Sequence, residues 1–449
     1  MTMAGRTSVG VAVGTAKRTR RAVLAAGSGL ASAGVLAACG VGGGSSGDRA
    51  QGTSKELAPA SLSFTTWWVP PLAFGVGTEK ALKAFEGKHP NVKVKVEGLS
   101  NNANQNLEKV QTLIAAGTPP DLSLIRPPHM GYFSNRGAFA AVDDRLQKDR
   151  RPRSDFFPVA LERLSWQGKT WGLPAEVWFL VNVYNQELFA SSGQAVPDAS
   201  WTWDRWLEAA KRLTASGANN PSKSYGTEVP QYEVPVWAWG GDILNKAESE
   251  AALNKPPAPE ALQWRADAIN KHGVVPPVAE LGGQSMLNFF TSGRLGMLPI
   301  GNWALVDVEK GAKMKWGVTT LPTGKAGAMT FAAGANYAMF AGTKQLDAAW
   351  TLLSDLVFGD GLKALLQESS LFPAFKPLAK AELLPSYKPD WLQATLKAGE
   401  KARHPHFSHP RHVEINQMIT EQLAPLWKGE KSAQQAADEA ARQITPLLK

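Results

Sequence analysis

Apolar residues fall at every second position over Val92, Val94 and Val96, with Lys93, Lys95 and Glu97 between them. They fall at every third or fourth position over Leu107, Val110, Leu113 and Ile114, with Glu108, Lys109 and Gln111 on the opposite side. The first period is that of a strand with one buried and one wet face, the second that of an amphipathic helix. Gly117 offers the left-handed residue that ends such a helix, and Pro119-Pro120 forbid its continuation. Asp121 then leads into the short apolar run Leu122 to Ile125. Upstream, Leu62 to Trp67 reads as a strand and Thr78 to Lys88 as a helix. The order is strand, helix, strand, helix, strand, which predicts a parallel sheet with right-handed crossovers. The alternation at Val92 to Val96 suits an edge strand. Ligands of such sheets lie beyond the carboxyl ends of the strands. Here those ends are Trp67-Trp68, Leu99 to Asn102, and Arg126 to His129.

Further along, Gly131 to Asp144 reads as a short helix and a return to the surface. Gly168 to Pro174 introduces the apolar run Val177 to Tyr184, expected to be a strand crossing from one lobe to another. Thr202 can cap a helix whose apolar face includes Trp206, Ala209, Ala210 and Leu213. In Tyr232 to Asp242, Trp237 and Trp239 alternate beside glycines, and the stretch reads as irregular. Phe289 to Leu305 holds a buried strand ending in Gly301-Asn302-Trp303, and Trp316 to Leu321 is another strand. Phe331 to Phe340, apolar and broken by Gly334, is expected to be a second crossing and contains Asn336. Ala348 to Gln367 and Ser432 to Leu448 are expected to be amphipathic helices. The fold class is α/β with two lobes: residues 61–176 and 336–385 form the N-terminal lobe, 181–330 and 390–449 the C-terminal lobe. No internal repeat is present.

The first 38 residues carry five basic side chains (Arg6, Lys17, Arg18, Arg20, Arg21) and no acidic one. An apolar small-residue run, Ala22 to Ala38, follows and ends at Cys39. These are the parts of a secretory signal peptide, and Leu36-Ala37-Ala38-Cys39 looks like a lipobox whose cysteine receives a lipid. Thr19 to Leu24 also resembles a twin-arginine export signal. Gly40 to Ala60 cannot bury apolar surface and reads as a tether, residues 39–60, with an end-to-end distance of roughly 25 Å. Removing the leader takes Lys+Arg from 48 to 43 against 39 Asp+Glu, so the formal charge falls from +9 to +4. No basic stripe interleaved with aromatics then remains, which excludes nucleic acid as a partner. Cys39 is the only cysteine, so no internal disulfide can form. The fold must rest on a large core.

Sixteen tryptophans stand against six tyrosines. Sugars present apolar C–H faces that stack on indole, and hydroxyls that need Asn, Asp, Glu, Arg or His. For most tryptophans a core position is the commoner fate. Trp67 and Trp68, adjacent on a strand, should divide between cleft and core. The cluster His404, His406, His409 and His412 has no regular zinc spacing, and its prolines prevent one helix from presenting all four. No metal or other cofactor is expected, and His406 is kept as a ligand contact. The motif HExxH is absent and Cys39 is the only cysteine, so a lipid-anchored hydrolase shows neither that metal motif nor a spare thiol, while a pair of carboxylates stays open. The chain is expected not to be an enzyme.

Taken in order, GTPPD, then WGLP with Val183-Tyr184-Asn185, then TWDRWLEAAKRLT, then SGRLGMLPIGNWA with WGVTTLPTG, resembles family 1 extracellular solute-binding proteins. These are the receptors of ABC importers, the maltose-binding protein among them. The resemblance runs from about Leu62 to Leu448. It implies a two-lobed type II periplasmic-binding-protein fold with a carbohydrate in the cleft, a permease as partner, a lipid anchor to the membrane at Cys39, and a monomer. By the same resemblance Trp303 stacks on the sugar and Tyr232 forms another aromatic wall. Trp178 falls where maltodextrin binders carry a carboxylate, and Arg126 to His129 where they carry an acidic segment. Both departures remove negative charge and point away from a maltodextrin; an acidic or phosphorylated sugar would suit Arg126 and His129. Asn102, Trp237, Trp239, Asn302 and Asn336 complete the expected ligand-binding set.

Overall fold

β1 (Ala60–Thr66), α1 (Ala73–Lys88), β2 (Val92–Gly98), α2 (Ala103–Ala115) and β3 (Leu122–Ile125) follow one another as the apolar periods predict. The computed structural model describes residues 56–217 and 223–449, all within one compact unit, Lys55–Lys449. The leader, Cys39 and most of the tether lie outside the described residues. Among the described residues no helix is long and apolar enough to cross a membrane. The start and end of α2 follow from its sequence. Asn102 Oδ1 accepts from the Asn104 and Gln105 amides at 3.0 and 3.2 Å, which satisfies two orphan donors. Gly117 takes φ +71° just past the end.

β1 lies parallel to both β2 and β3, and β2 is the sheet edge. The chain returns to this sheet much later. Asn336–Met339 pairs antiparallel with β3, and Leu173–Pro174 pairs with Asn336–Met339 on its outer side. A second sheet runs in the order Ala402–Arg403, Thr330–Ala333, Trp178–Asn185, Leu295–Gly301, Tyr225–Thr227, with Trp316–Thr319 also paired to Trp178–Asn185.

Several expectations need correction. Val177 to Tyr184 is not itself the crossing: Trp178–Asn185 lies wholly in the second sheet, buried along almost its whole length. Such a strand shows no alternation, so its ends cannot be read from period. The crossing is the short segment Ala175 to Val177. The second crossing falls inside Phe331 to Phe340 as expected, at Gly334-Ala335 between two strands that belong to different sheets. Tyr232 to Asp242 is not irregular but holds the helix Glu233–Trp239, closed by Gly240 at φ +95°. Its residues Glu233 to Ala238 are all buried, and a helix buried all round loses the polar face that would reveal it. The expected helix Ala348 to Gln367 is two helices, Leu346–Phe358 and Asp360–Glu368, which meet at Gly359.

One buried cluster runs from Leu62, Phe64 and Leu122 of the first sheet into Val181, Val183 and Leu298 of the second. A second is built on Trp203, Trp206 and Trp237, and a third packs the C-terminal helices His412–Trp427 and Ala433–Ile444 on Leu253 and Leu262. The capping box of Ser432 and Gln435 starts the last helix.

Candidate functional site

Trp303 follows the strand Leu295–Gly301 and is 41% exposed, the only aromatic among the exposed large apolar side chains of the described residues. Its indole folds back over Gly301: a Cβ there would lie 2.2 Å from Trp303 Nε1. Only glycine leaves this space. An open indole at a strand end is what a stacked sugar face needs.

Half-buried Trp178 starts the central strand and stacks on Phe331, ring centroids 5.7 Å apart. Phe331 stacks in turn on Trp237 at 6.2 Å, and the Arg403 guanidinium lies 5.0 Å from the Trp237 ring. Arg403 Nη2 donates to Asp242 Oδ2 at 2.6 Å, and Trp237 Nε1 donates to Asp242 Oδ1 at 3.2 Å. A cavity of about 430 Å³ opens here, with Trp237, Met329 and Pro256 on its apolar side and Asp242, Lys255 and Arg403 on its polar side. This mixture of indole, aliphatic and charged groups suits a polyhydroxylated solute.

His406 sits behind Asp242 in the left-handed region, φ +49°. Its Nδ1 lies 2.9 Å from Glu248 Oε1 and its Nε2 lies 3.5 Å from Asp242 Oδ1. Burial disfavours the charged ring, but the bonds to Asp242 and Glu248 outweigh it and hold the pKa up at about 9. Burial likewise opposes ionisation of Asp242, yet the bonds from His406 and Arg403 keep its carboxyl at about 2. The neighbouring histidines go the other way. Burial, reinforced by the positive charges around it, pushes His412 down to about 3, and burial lowers His404 and His409 as well. At neutral pH His406 is therefore an imidazolium among neutral rings. No group of His, Cys, Asp and Glu among the described residues could hold a metal ion.

On the first sheet, the Arg126 guanidinium lies 4.4 Å from the Trp67 ring, and its Nη2 donates to the Asn101 carbonyl at 2.6 Å and to Asn101 Oδ1 at 3.0 Å. Its Nε is buried and makes no hydrogen bond. Burial, with the Arg126 charge adding, lowers His129 to about 4. The segment after His129 meets the histidine loop directly. A Cβ on Gly131 would lie 2.2 Å from the Ser408 carbonyl oxygen, and the Trp166 and His409 rings are 6.1 Å apart.

Other expected site residues have structural partners. Trp67 and Trp68 do not divide between cleft and core: both are buried, and Trp68 packs on Phe74 and Tyr337. Asn102 spends its oxygen on the α2 cap. Asn302 is fully buried, accepting from the Phe179 amide at 2.9 Å and donating to Tyr387 Oη at 2.7 Å. Asn336, also fully buried, accepts from Arg163 Nε at 3.0 Å. Trp239 joins the Trp203 and Trp264 rings. Tyr232 borders a gap of about 10 Å³ with His406, His409 and His412, room for no more than one water. Asp242 and Arg403, which line the cavity, and Phe331, which packs behind it, are residues that the sequence alone did not single out. The one available signal was Asp242, an acid placed directly after Trp237, Trp239 and two glycines.

Comparison with known proteins agrees with this architecture. The profile described as bacterial extracellular solute-binding protein matches residues 74–356. A binding protein of Brucella abortus is 28% identical over 309 residues, 68% of this chain and 74% of the relative. The solved ABC substrate-binding protein of Listeria monocytogenes in complex with cycloalternan superposes with TM-score 0.75 at 22% identity, covering 87% of this chain and 99% of that one. The cyclic alpha-maltosyl-1,6-maltose binding protein of Arthrobacter globiformis gives TM-score 0.74 at 20% identity, covering 87% and 100%. The fold is the two-lobed, maltose-binding-protein-like α/β fold, its lobes built on the two sheets and joined at the crossing segments. With the match spanning residues 74–356 of the sequence, the chain belongs to the family of bacterial extracellular solute-binding proteins.

Proposed function

We propose that this protein captures a sugar or oligosaccharide between its lobes and delivers it to the permease of an ABC importer. The observation that carries the reading is Trp303: a large indole left 41% exposed at the end of a central strand, held over a glycine that has no other reason to be one. Trp178 supplies a further stacking face from the second lobe, Asp242 and Arg403 hydrogen-bonding groups beside it, and Arg126 one from the first lobe. The two solved neighbours above are described with cycloalternan and with cyclic alpha-maltosyl-1,6-maltose, which supports the class of solute. The lobes divide at residues 61–176 with 336–385 and at 181–330 with 390–449, and they close around the solute by turning at the segments that pass between them. Cys39 carries the lipid that keeps the protein on the outer face of the cell membrane as a monomer. Native mass spectrometry of protein released from its own cells, followed by calorimetric titration of the recovered compound, tests the reading. A sugar that titrates with a one-to-one stoichiometry supports it, and a recovered peptide or metal chelate overturns it.

A second reading, an acidic or phosphorylated polyol, is favoured by the buried, unpartnered Nε of Arg126. Titration of a sugar phosphate beside its neutral parent separates the two.

Attachment has its own test. Two or more acyl chains give stable anchoring, at about 0.8 kcal/mol per buried CH₂. Cys39→Ala should move the protein from the detergent phase to the aqueous phase, and unchanged partition would exclude the anchor.

A further inference from the structure

Arg163 ends the short helix Pro158–Glu162 and is wholly buried. Its Nε donates to Asn336 Oδ1 at 3.0 Å, its Nη1 to the Ala333 carbonyl at 3.0 Å, and its Nη2 to the Glu176 carbonyl at 2.6 Å. Glu176 belongs to one crossing segment, and Ala333 and Asn336 flank the other. One planar fork therefore holds both. The segments also hold each other: the Ala175 amide donates to the Ala335 carbonyl at 3.0 Å, and the Ala335 amide to Glu176 Oε1 at 3.3 Å. Between them Gly334 takes φ +143°, and a Cβ there would lie 2.5 Å from the Glu176 oxygen and 3.1 Å from Arg163 Nη2. The backbone rests directly on the guanidinium.

We propose that Arg163 is a positioning residue of the hinge: its fork makes these two crossing segments turn together and so narrows the range of closing motions open to the lobes. The inference rests on the solute-capture reading for its purpose, though not for its geometry. Burying a cation is costly, and apolar side chains often fill such space at no loss of stability. What an apolar side chain cannot do is bond the carbonyls of two separate chain crossings at once. Without the fork, the two crossings keep only their direct bonds to each other, from the Ala175 amide to the Ala335 carbonyl and from the Ala335 amide to Glu176 Oε1, and the backbone dihedrals of residues 175–177 and 333–335 become freer to change independently. Lysine keeps the charge but not the fixed fork, so it should not restore the coupling.

The test reads the hinge without any ligand. Spin labels at Glu108→Cys in the first lobe and Lys271→Cys in the second, in the full chain carrying Cys39→Ser, report the interlobe distance distribution. Narrow maxima are expected with Arg163 in place. Their loss to a broad spread is expected in Arg163→Met and Arg163→Lys, with a smaller broadening in Asn336→Ala, which removes only the Nε acceptor. A packing role alone would lower the melting temperature and leave the distribution as it was. Unchanged distributions in the folded Arg163 variants overturn the proposal. Should Arg163→Met fail to fold, Arg163→Lys and Asn336→Ala decide it by the same measure. Failure of sugar capture would leave these distances untouched, so the two readings fail separately.

Discussion

The ring of Trp178 lies on that of Phe331, centroids 5.7 Å apart and planes 23° from parallel. Trp178 stands opposite Ala333 in the antiparallel pair, so Phe331 is its diagonal neighbour on the same face of the sheet. Phe331 then passes the stack to Trp237, and Arg403 caps it. The middle ring holds the outer two in register.

Phe331→Ala should therefore cost about 3 to 5 kcal/mol of stability, the range for a truncated buried phenylalanine. Trp178→Ala, at a half-buried position, should cost less stability and more affinity for the captured sugar. Urea unfolding of both variants checks the order. A Phe331→Ala loss below that of Trp178→Ala would mean that the stack is not the packed element described.

Trp303 separates binding from folding more cleanly. Trp303→Ala should weaken sugar affinity by about 1 to 3 kcal/mol, roughly tenfold to over a hundredfold in dissociation constant. Its 41% exposure predicts only a small change in melting temperature. Calorimetric titration and a thermal melt on the one variant make the comparison, and a large drop in melting temperature with affinity intact would return Trp303 to the core.

The parts of the fold that period can encode were legible. β2 alternates because it is a sheet edge, and α2 carries its cap and stop in Asn102, Gly117 and Pro119-Pro120. Where elements are buried all round, the pattern fails. Trp178–Asn185 and Glu233–Trp239 lose their polar faces, so the strand was mistaken for the crossing and the helix for a loop. The open indole of Trp303 was legible, where a glycine, an asparagine and a tryptophan meet at a strand end. The fate of the asparagines was not legible. Asn102, Asn302 and Asn336 are polar enough to bind a sugar, but each is occupied by backbone or side-chain partners that only the folded chain brings together. Arg163 and Glu176 were missed for the same reason: a charged residue does not say which backbone carbonyls or amides it will meet.

The protonated His406 predicts a pH dependence. Its pKa is held at about 9 in the folded protein, above the ordinary value of 6.5. A base raised on folding contributes stability that is complete below about pH 6.5 and is lost as pH rises through 9, because the unfolded chain releases the proton first. His412, lowered to about 3 by burial, acts in the opposite sense: its contribution is present above 6.5 and lost as pH falls toward 3. Melting temperatures compared with the wild type should show His406→Gln losing its deficit between pH 6.5 and 9, and His412→Gln losing its own only on the acid side. A constant difference across the whole range would remove the charge on His406.

Two glycines make the sharpest contrast, because the same change meets different obstacles. At Gly301 an added Cβ would strike Trp303 Nε1 at 2.2 Å, the far end of a side chain that can rotate away. At Gly334 it would strike the Glu176 carbonyl oxygen at 2.5 Å, in backbone that Arg163 holds, and at φ +143°, which L-residues avoid. Gly301→Ala should thus keep most of the stability and lose sugar affinity, since the indole must leave its seat. Gly334→Ala should destabilise by more than the ordinary point-mutant cost of about 1 kcal/mol, from clash and strained backbone together. Thermal melts and calorimetric titrations on the pair decide the matter. Equal losses of stability would mean that Trp303 cannot swing aside, and affinity intact in Gly301→Ala would mean that the sugar does not use the position the indole holds.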